Sequence, residues 1–224
     1  MERFAVLIPA LNAESFIEPV IRGSLEHCRY VVVINDGSTD RTAEIAERAG
    51  ALVLHHEKNR GKGAALRTGF DWAMESMFDG VVTLDADGQH LPQEIPKFIA
   101  ARTETSADLI IGGRAHHFDA MLPRRRNANR FSAWTISIAA GTKITDSQSG
   151  FRYYSAKLIR GVKLLAHGFD MESEVIVRAG RRGFRIETIP IDLGFADGVA
   201  TSHYRPLHDT LKIAWRVVRT RFRA

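Results

Sequence analysis

Two carboxylates and an amide stand at alternate positions in the run DADGQ, as Asp85, Asp87 and Gln89, directly after the apolar stretch GVVTL that begins at Gly80. Along an extended strand, residues two apart face the same side. Asp85 and Asp87 can therefore present both carboxylates to one point, and Gln89 arrives from the turn that follows. Hard oxygen donors of this kind suit magnesium or manganese rather than zinc. An ion held by so few protein groups completes its shell with water and phosphate oxygens, so a pyrophosphate is its natural partner. The competing reading is a capping aspartate followed by a turn aspartate, and the spacing alone does not separate the two.

Asp36, in VVVINDGSTD, is placed to accept hydrogen bonds from a base or ribose, or else to serve as a turn residue before Gly37 or a cap for the next helix. Lys62 is flanked by glycines at an expected helix start, where it can reach a phosphate. Two phosphate-binding patterns are missing. No G-x-G-x-x-G follows the first apolar run, and NRGKGAAL is not the G-x-x-x-x-G-K-[ST] loop, which disfavours dinucleotide hydride transfer and P-loop phosphoryl transfer. Nucleotidyl transfer expects a glycine-rich, lysine-containing loop after the first strand, and IPALNAES does not supply one. The pairs His55-His56 and His116-His117 lack metal-ligand spacing with other residues and read as surface or loop positions.

These residues need elements to position them. The runs FAVLIPA, YVVVIND, ALVLHH, GVVTLDAD and DLIIGGR read as strands, and amphipathic segments between them read as helices, the second capped by Thr39 or Asp40 and stopped by Gly50. Strands alternating with helices at this spacing imply an α/β fold, a mostly parallel central sheet with helices on both faces. In such sheets ligands bind beyond the carboxyl ends of the strands, where Asn12, Asp36, Asp85, Asp87 and Arg114 all fall. After residue 115 the alternation degrades into a long helical stretch over about 122 to 140, a short extended FRYYS, an acidic helix FDMESEVIVRAGRRG, a strand FRIETIPI and a final basic helix. No repeat, low-complexity tract or linker interrupts residues 1–224, which read as a single domain.

The composition is that of a globular chain: 224 residues, 45% hydrophobic and 25% charged. A single cysteine, Cys28, and the lack of a basic-then-apolar leader suggest a reducing cytoplasm. No apolar run reaches the roughly 18 to 20 residues of a membrane-spanning helix. The formal charge is +5, and positive charge clusters in PRRRNANR, RAGRRGFR and the tail KIAWRVVRTRFRA over 212–224, which suggests a polyanionic partner. A nucleic-acid partner is disfavoured, because no recognition module accompanies these clusters. The segment from Arg205 places Leu207, Leu211, Ala214, Trp215, Val218 and Phe222 at three- and four-residue intervals along a basic helix, a pattern suited to an anionic bilayer surface or to packing on the domain.

The ordered motifs IPALNAE, INDGSTDRTAEIA, NRGKGAALRTGF, TLDADGQHLPQEI, IIGGR, DSQSGFRYYS and GFDMESEVIVRA resemble the family 2 glycosyltransferases of the GT-A fold. Within that family the chain is most similar to the polyprenyl-phosphate sugar transferases, the dolichyl-phosphate mannose and glucose synthase group. The resemblance runs from about residue 3 to 205, with Ala13 where the family often has a second acid and Asn35 where it often has an aspartate. It implies that Pro9, Ala10, Asn12, Glu14 and Asp36 surround the nucleotide, with Lys62, His203 and Arg205 as further donor contacts. Asp85, Ala86 and Asp87 would meet the diphosphate, and Asp85, Asp87 and Gln89 would hold Mg2+ or Mn2+. It also implies a donor-binding half over 1–114, an acceptor-binding half over 115–206 and the basic helix over 207–224.

Relatives that glycosylate hydroxyls commonly use an Asp in a Glu-Asp pair as base, and no such pair follows residue 94. A phosphate acceptor is already ionised near pH 7 and needs positioning rather than deprotonation. Arginine suits that task through its paired N–H donors. Arg114, Arg126 and Arg130 are the candidates, with Arg124 and Arg125 as neighbours, and Asp85, Asp87, Arg114 and Arg130 form the expected catalytic set. Asp146 and Ser149 are placed to touch sugar hydroxyls or brace the arginines, and Glu172 can reach the site. The expected activity is inverting transfer of a hexose from a GDP-mannose or UDP-glucose type donor to a polyprenyl phosphate at the cytoplasmic membrane face, with docking peripheral or through a membrane-protein partner. The alternatives are a saccharide or protein hydroxyl acceptor, and a non-catalytic nucleotide- or membrane-binding module.

Overall fold

The computed structural model of the chain describes residues 2–114, 123–164 and 170–194. Its strands are β1 (Phe4–Ala10), β2 (Val31–Asn35), β3 (Leu52–His55), β4 (Gly80–Thr83), β5 (Leu109–Gly113), β6 (Arg152–Ser155) and β7 (Ile186–Pro190). The helices are α1 (Ile17–Leu25), α2 (Thr42–Arg48), α3 (Lys62–Glu75), α4 (Ile95–Thr105), α5 (Pro123–Ala140), α6 (Ala156–Gly161) and α7 (Asp170–Arg181). The strands form one seven-stranded sheet in the order β3-β2-β1-β4-β6-β5-β7. All pairings are parallel except those of β6, which runs antiparallel to both β4 and β5.

The sheet is covered on both faces, which explains why its central strands read as unbroken apolar runs. Along β1, Ala5 and Leu7 enter one core with residues of α3, α5, α6 and α7, while Val6, Ile8 and Ala10 enter the other with residues of α1, α2 and α4. This is the expected mostly parallel α/β architecture. The insertion of β6 between β4 and β5 was not expected, and it places a strand from the second half of the chain inside the sheet of the first.

Two local expectations are corrected. Residues 12–16 form a turn rather than helix, since α1 starts at Ile17 and Asn12 takes a left-handed conformation at φ 51°. Asn tolerates that region better than most residues. Its Oδ1 accepts the backbone N–H of Thr39 at 2.9 Å, and its own N–H donates to Ser38 Oγ at 3.0 Å, so the turn is stitched to the loop after β2. The short helix α6 was missed, although Ser155 caps it by accepting the Leu158 N–H at 3.1 Å.

Candidate active site

Strands β1, β2 and β4 end side by side, and a cavity of about 740 Å³ opens beyond them. Pro9, Ala10, Asn12, Asp36, Lys62, Asp85, Ala86, Asp87, Gln89 and Arg114 line it, so most of the candidates from the first half meet at one cavity. Glu14 is not among the lining residues. It is exposed, and its carboxylate accepts the Arg41 N–H at 3.1 Å at the start of α2. Asp40, the other acid here, takes the Thr42 N–H at 3.0 Å.

Asp36 is almost fully occupied by the protein. Its Oδ1 meets His56 Nδ1 at 2.6 Å and the Arg60 N–H at 2.9 Å, and its Oδ2 accepts the Gly61 N–H at 2.8 Å. The carboxylate thus clamps the loop that leads into α3. Gly37 follows at φ +74°, and a Cβ there would lie 2.5 Å from the Lys58 carbonyl carbon, so only glycine lets the two loops pass. The reading of His56 as a surface position is corrected: its ring is buried, and Nε2 meets Thr68 Oγ1 of α3 at 2.9 Å. His55, next to it, is exposed at the end of β3. Their sequence signal is identical, and only the strand pleat separates them.

Asp85 has a different kind of partner. Lys62 Nζ, at the first residue of α3, lies 2.5 Å from Asp85 Oδ1 and 2.9 Å from Glu172 Oε1 of α7. Burial would raise the Asp85 carboxyl, but Lys62, His90 and Arg114 outweigh it and hold it down at about 2. Lys62 shows the complementary balance: burial opposes its charge, and Asp85 and Glu172 push its pKa above the usual lysine value. Asp87 moves the other way, raised by burial and by the negative charge of Asp85, and its Oδ1 accepts the Gln89 N–H at 3.0 Å. His90, which the sequence did not single out, is buried with its Nδ1 accepting the Asp85 N–H at 3.1 Å. Burial, with Arg114 and Lys62 nearby, pushes it down to about 4 against the pull of Asp85. The ring is therefore neutral near pH 7 with its proton on Nε2, and it fixes the backbone from which the Asp85 side chain departs.

The second half contributes Asn129, Ser147, Gln148, Glu172 and Ser173 to the same lining. Asp146 holds Arg114 in two parallel bonds, from Nε at 2.8 Å and Nη2 at 3.1 Å, and also accepts the Arg114 N–H at 3.2 Å. Asp146 is thus a brace for the arginine, one of the two roles expected for it. Gly150 packs directly on Asp85 and Lys62: a Cβ there would lie 2.7 Å from Asp85 Oδ2 and 2.8 Å from Lys62 Nζ. Ser149 is fully buried and absent from the cavity lining, whereas Ser147 and Gln148 belong to it.

The segment 147–150 is secured by Arg152, a fully buried residue that sequence reasoning missed. Its guanidinium donates to the carbonyls of Ser149 at 2.7 Å, Glu172 at 2.7 Å and Ser147 at 2.9 Å. On α5, Asn129 reaches the cavity wall, while Arg126 and Arg130 are not among the lining residues and Arg130 is exposed. His203, Arg205 and the basic segment 207–224 lie outside the described residues, as do His116 and His117.

Whether Mg2+ or Mn2+ suits this site is a question of donor chemistry. Asp85 and Asp87 both face the cavity and are close enough that one raises the pKa of the other, the like-charge strain that a cation relieves. Among the described residues no group of three His, Cys, Asp or Glu is arranged to enclose a metal. Two carboxylates with Gln89 beside them form an open, oxygen-rich set that leaves coordination positions for phosphate. The residues fit the ion.

Comparison with known proteins agrees with this geometry. The family model described as Glycosyl transferase family 2 matches residues 5–163, and the chain belongs to that family. It is 33% identical over 205 residues to the undecaprenyl-phosphate mannosyltransferase of Micrococcus luteus, covering 84% of this chain and 82% of that protein. It is 30% identical over 209 residues to the polyprenol monophosphomannose synthase of Mycolicibacterium smegmatis, covering 85% and 77%. Among solved structures, glucosyl-3-phosphoglycerate synthase from Mycobacterium tuberculosis, in complex with Mn2+, UDP-glucose and phosphoglyceric acid, superposes with a TM-score of 0.74. That match covers 99% of this chain and 79% of the other at 22% identity, and it establishes the shared GT-A fold. The protein is a glycosyltransferase.

Proposed function

We propose that the protein moves a hexose from a nucleoside diphosphate sugar to a polyprenyl phosphate at the cytoplasmic face of a membrane, with inversion at the anomeric carbon. The observation that carries this reading is the state of the acids in the cavity wall. Asp36 is clamped by His56, Arg60 and Gly61, while Asp85 and Glu172 share Lys62. Among the described residues that leaves only Asp87, on the donor side beside Asp85, so no carboxylate stands ready to deprotonate a hydroxyl. An ionised phosphate needs no base, and Arg114, held rigid by Asp146, offers a positive wall for it.

In this reading an acceptor phosphate oxygen forms a bond to the anomeric carbon as the bond to the donor's β-phosphate oxygen breaks on the opposite face. No proton is transferred. Asp85, Asp87 and Gln89 would hold Mg2+ or Mn2+, whose contribution is to neutralise charge on the departing diphosphate. The names of the relatives from Micrococcus luteus and Mycolicibacterium smegmatis support a polyprenyl acceptor and a mannose-type donor, and the UDP-glucose complex of the structural neighbour keeps a UDP-sugar in view.

Membrane contact has support from α5. Phe131, Trp134 and Ile138 are exposed on this helix, Trp134 to 61%, and the same helix carries Asn129 into the cavity wall. No helix among the described residues is long and apolar enough to cross a bilayer. Peripheral docking through this face, through residues 207–224 or through a membrane-protein partner fits that observation.

The test is transfer of radiolabel from GDP-mannose, UDP-glucose or UDP-N-acetylglucosamine into the organic phase with a short polyprenyl phosphate and Mn2+ or Mg2+. We expect label from one donor, dependent on metal and lost in Asp87→Ala. Donor hydrolysis or sugar transfer to soluble hydroxyls, with no lipid label from any donor, would overturn the polyprenyl acceptor.

A further inference from the structure

Lys62 stands between two carboxylates from distant parts of the chain, Asp85 after β4 and Glu172 in α7. One ammonium cannot neutralise both. Asp87 adds a third carboxylate to the lining of the same cavity. The structure assigns to Glu172 the role of an exchange partner. When Asp85 turns to a divalent cation, Glu172 retains Lys62, so the ammonium neither follows Asp85 and repels the cation nor leaves the diphosphate site. Glu172 is then a positioning residue that acts through Lys62.

Three features make the exchange feasible. Both carboxylates line the cavity, but Glu172 is more deeply buried, with 7% of its side chain exposed against 28%, so Asp85 is the more accessible of the two. Arg152 grips the Glu172 carbonyl at 2.7 Å and anchors the first turn of α7 from below. Gly150 leaves no room for Asp85 or Lys62 to retreat toward β6, because even a methyl group would lie within 3 Å of both charged groups. The movement left to Asp85 is toward the open cavity, where Asp87 stands.

This inference rests on the metal reading of Asp85 and Asp87, and a double-mutant cycle separates the two. Mn2+ binding to the purified full chain, without donor, is measured by electron paramagnetic resonance for wild type, Glu172→Gln, Lys62→Met and the double variant, with folding checked by circular dichroism. With Lys62 present, Glu172→Gln leaves the ammonium to Asp85 alone, and the Kd for Mn2+ is expected to rise about tenfold, which corresponds to about 1.4 kcal/mol. In the Lys62→Met background the same substitution is expected to change the Kd less than about twofold, since nothing remains to be exchanged.

Equal weakening in both backgrounds would reduce Glu172 to a bulk negative charge and overturn the proposal, as would no weakening in either. Should Lys62→Met fail to fold, Lys62→Gln completes the same cycle. A wild-type chain that binds Mn2+ no better than Asp87→Ala would overturn the metal reading itself, and with it the exchange. Wild-type binding lost in Asp87→Ala, together with an uncoupled cycle, would spare the metal site and reject only the role of Glu172.

Discussion

Asp36 and Asp85 follow strands on either side of β1, line the same cavity and read alike in the sequence, yet the fold uses them in opposite ways. Asp36 has 5% of its side chain exposed and is held by two backbone N–H groups and a buried histidine. Asp85 has 28% exposed and is held by a single ammonium that also has another partner. Backbone amides cannot leave without unfolding a loop, whereas a lysine side chain moves by rotation about single bonds. A carboxylate satisfied by amides is therefore a clamp, and one satisfied by an exchangeable cation is available to a ligand.

The comparison is broken or sharpened most strongly by the matched substitutions Asp85→Asn and Asp36→Asn. Asp85→Asn is expected to lower turnover by about 10²- to 10³-fold, the scale of losing one electrostatic contact to a transition state, with little change in stability because Lys62 keeps Glu172. Asp36→Asn is expected to cost about 2 kcal/mol of unfolding free energy through its lost charge-assisted bonds. Urea unfolding and initial rates on both variants decide the matter; equal stability losses would erase the distinction between clamp and ligand.

Next in size is Gly150→Ala. Its methyl group would press on Asp85 and Lys62, with an expected cost of about 1 to 3 kcal/mol, and weaker Mn2+ binding than wild type. Unchanged melting temperature and unchanged Mn2+ affinity would mean that the close contact is not maintained in solution.

The smallest effect is a pH dependence of metal-free stability. The folded pKa of His90 is depressed from the ordinary 6.5 to about 4, so between these values the unfolded chain binds a proton that the folded one refuses. Its contribution is complete above pH 6.5 and is lost as the pH falls to about 4, with a slope of at most about 1.4 kcal/mol per unit. Asp85, also depressed, adds its own loss only at lower pH, as its carboxyl titrates toward about 2. His90→Asn, whose amide oxygen can accept the Asp85 N–H, should flatten the slope between pH 6.5 and 4; an identical slope would assign it to other groups.

Legibility followed the same division. The first half alternates strands with helices in regular succession, so those elements, and the acids and lysine at the strand ends, could be read from periodicity and punctuation. The motif DADGQ pointed to the cavity because the parallel pairing of β1 with β4 carries its residues beyond the sheet edge. The second half depends on contacts between distant residues. Arg152 looks like any basic residue in FRYYS, yet β6 inserts between β4 and β5 and buries it among carbonyl oxygens. His56 was misread for a related reason, since its neighbour His55 shares its chemistry but points the other way.

The sequence by itself determined the class of fold, the family and the acids that line the cavity, because hydrophobic period, turn residues and motif spacing are local properties of the chain. Only the tertiary structure decided what those acids are bonded to. Burial and long-range pairing set the charge state and mobility of a carboxylate: Lys62 and Glu172 lie 110 residues apart in the numbering, and no local pattern records that they meet at 2.9 Å.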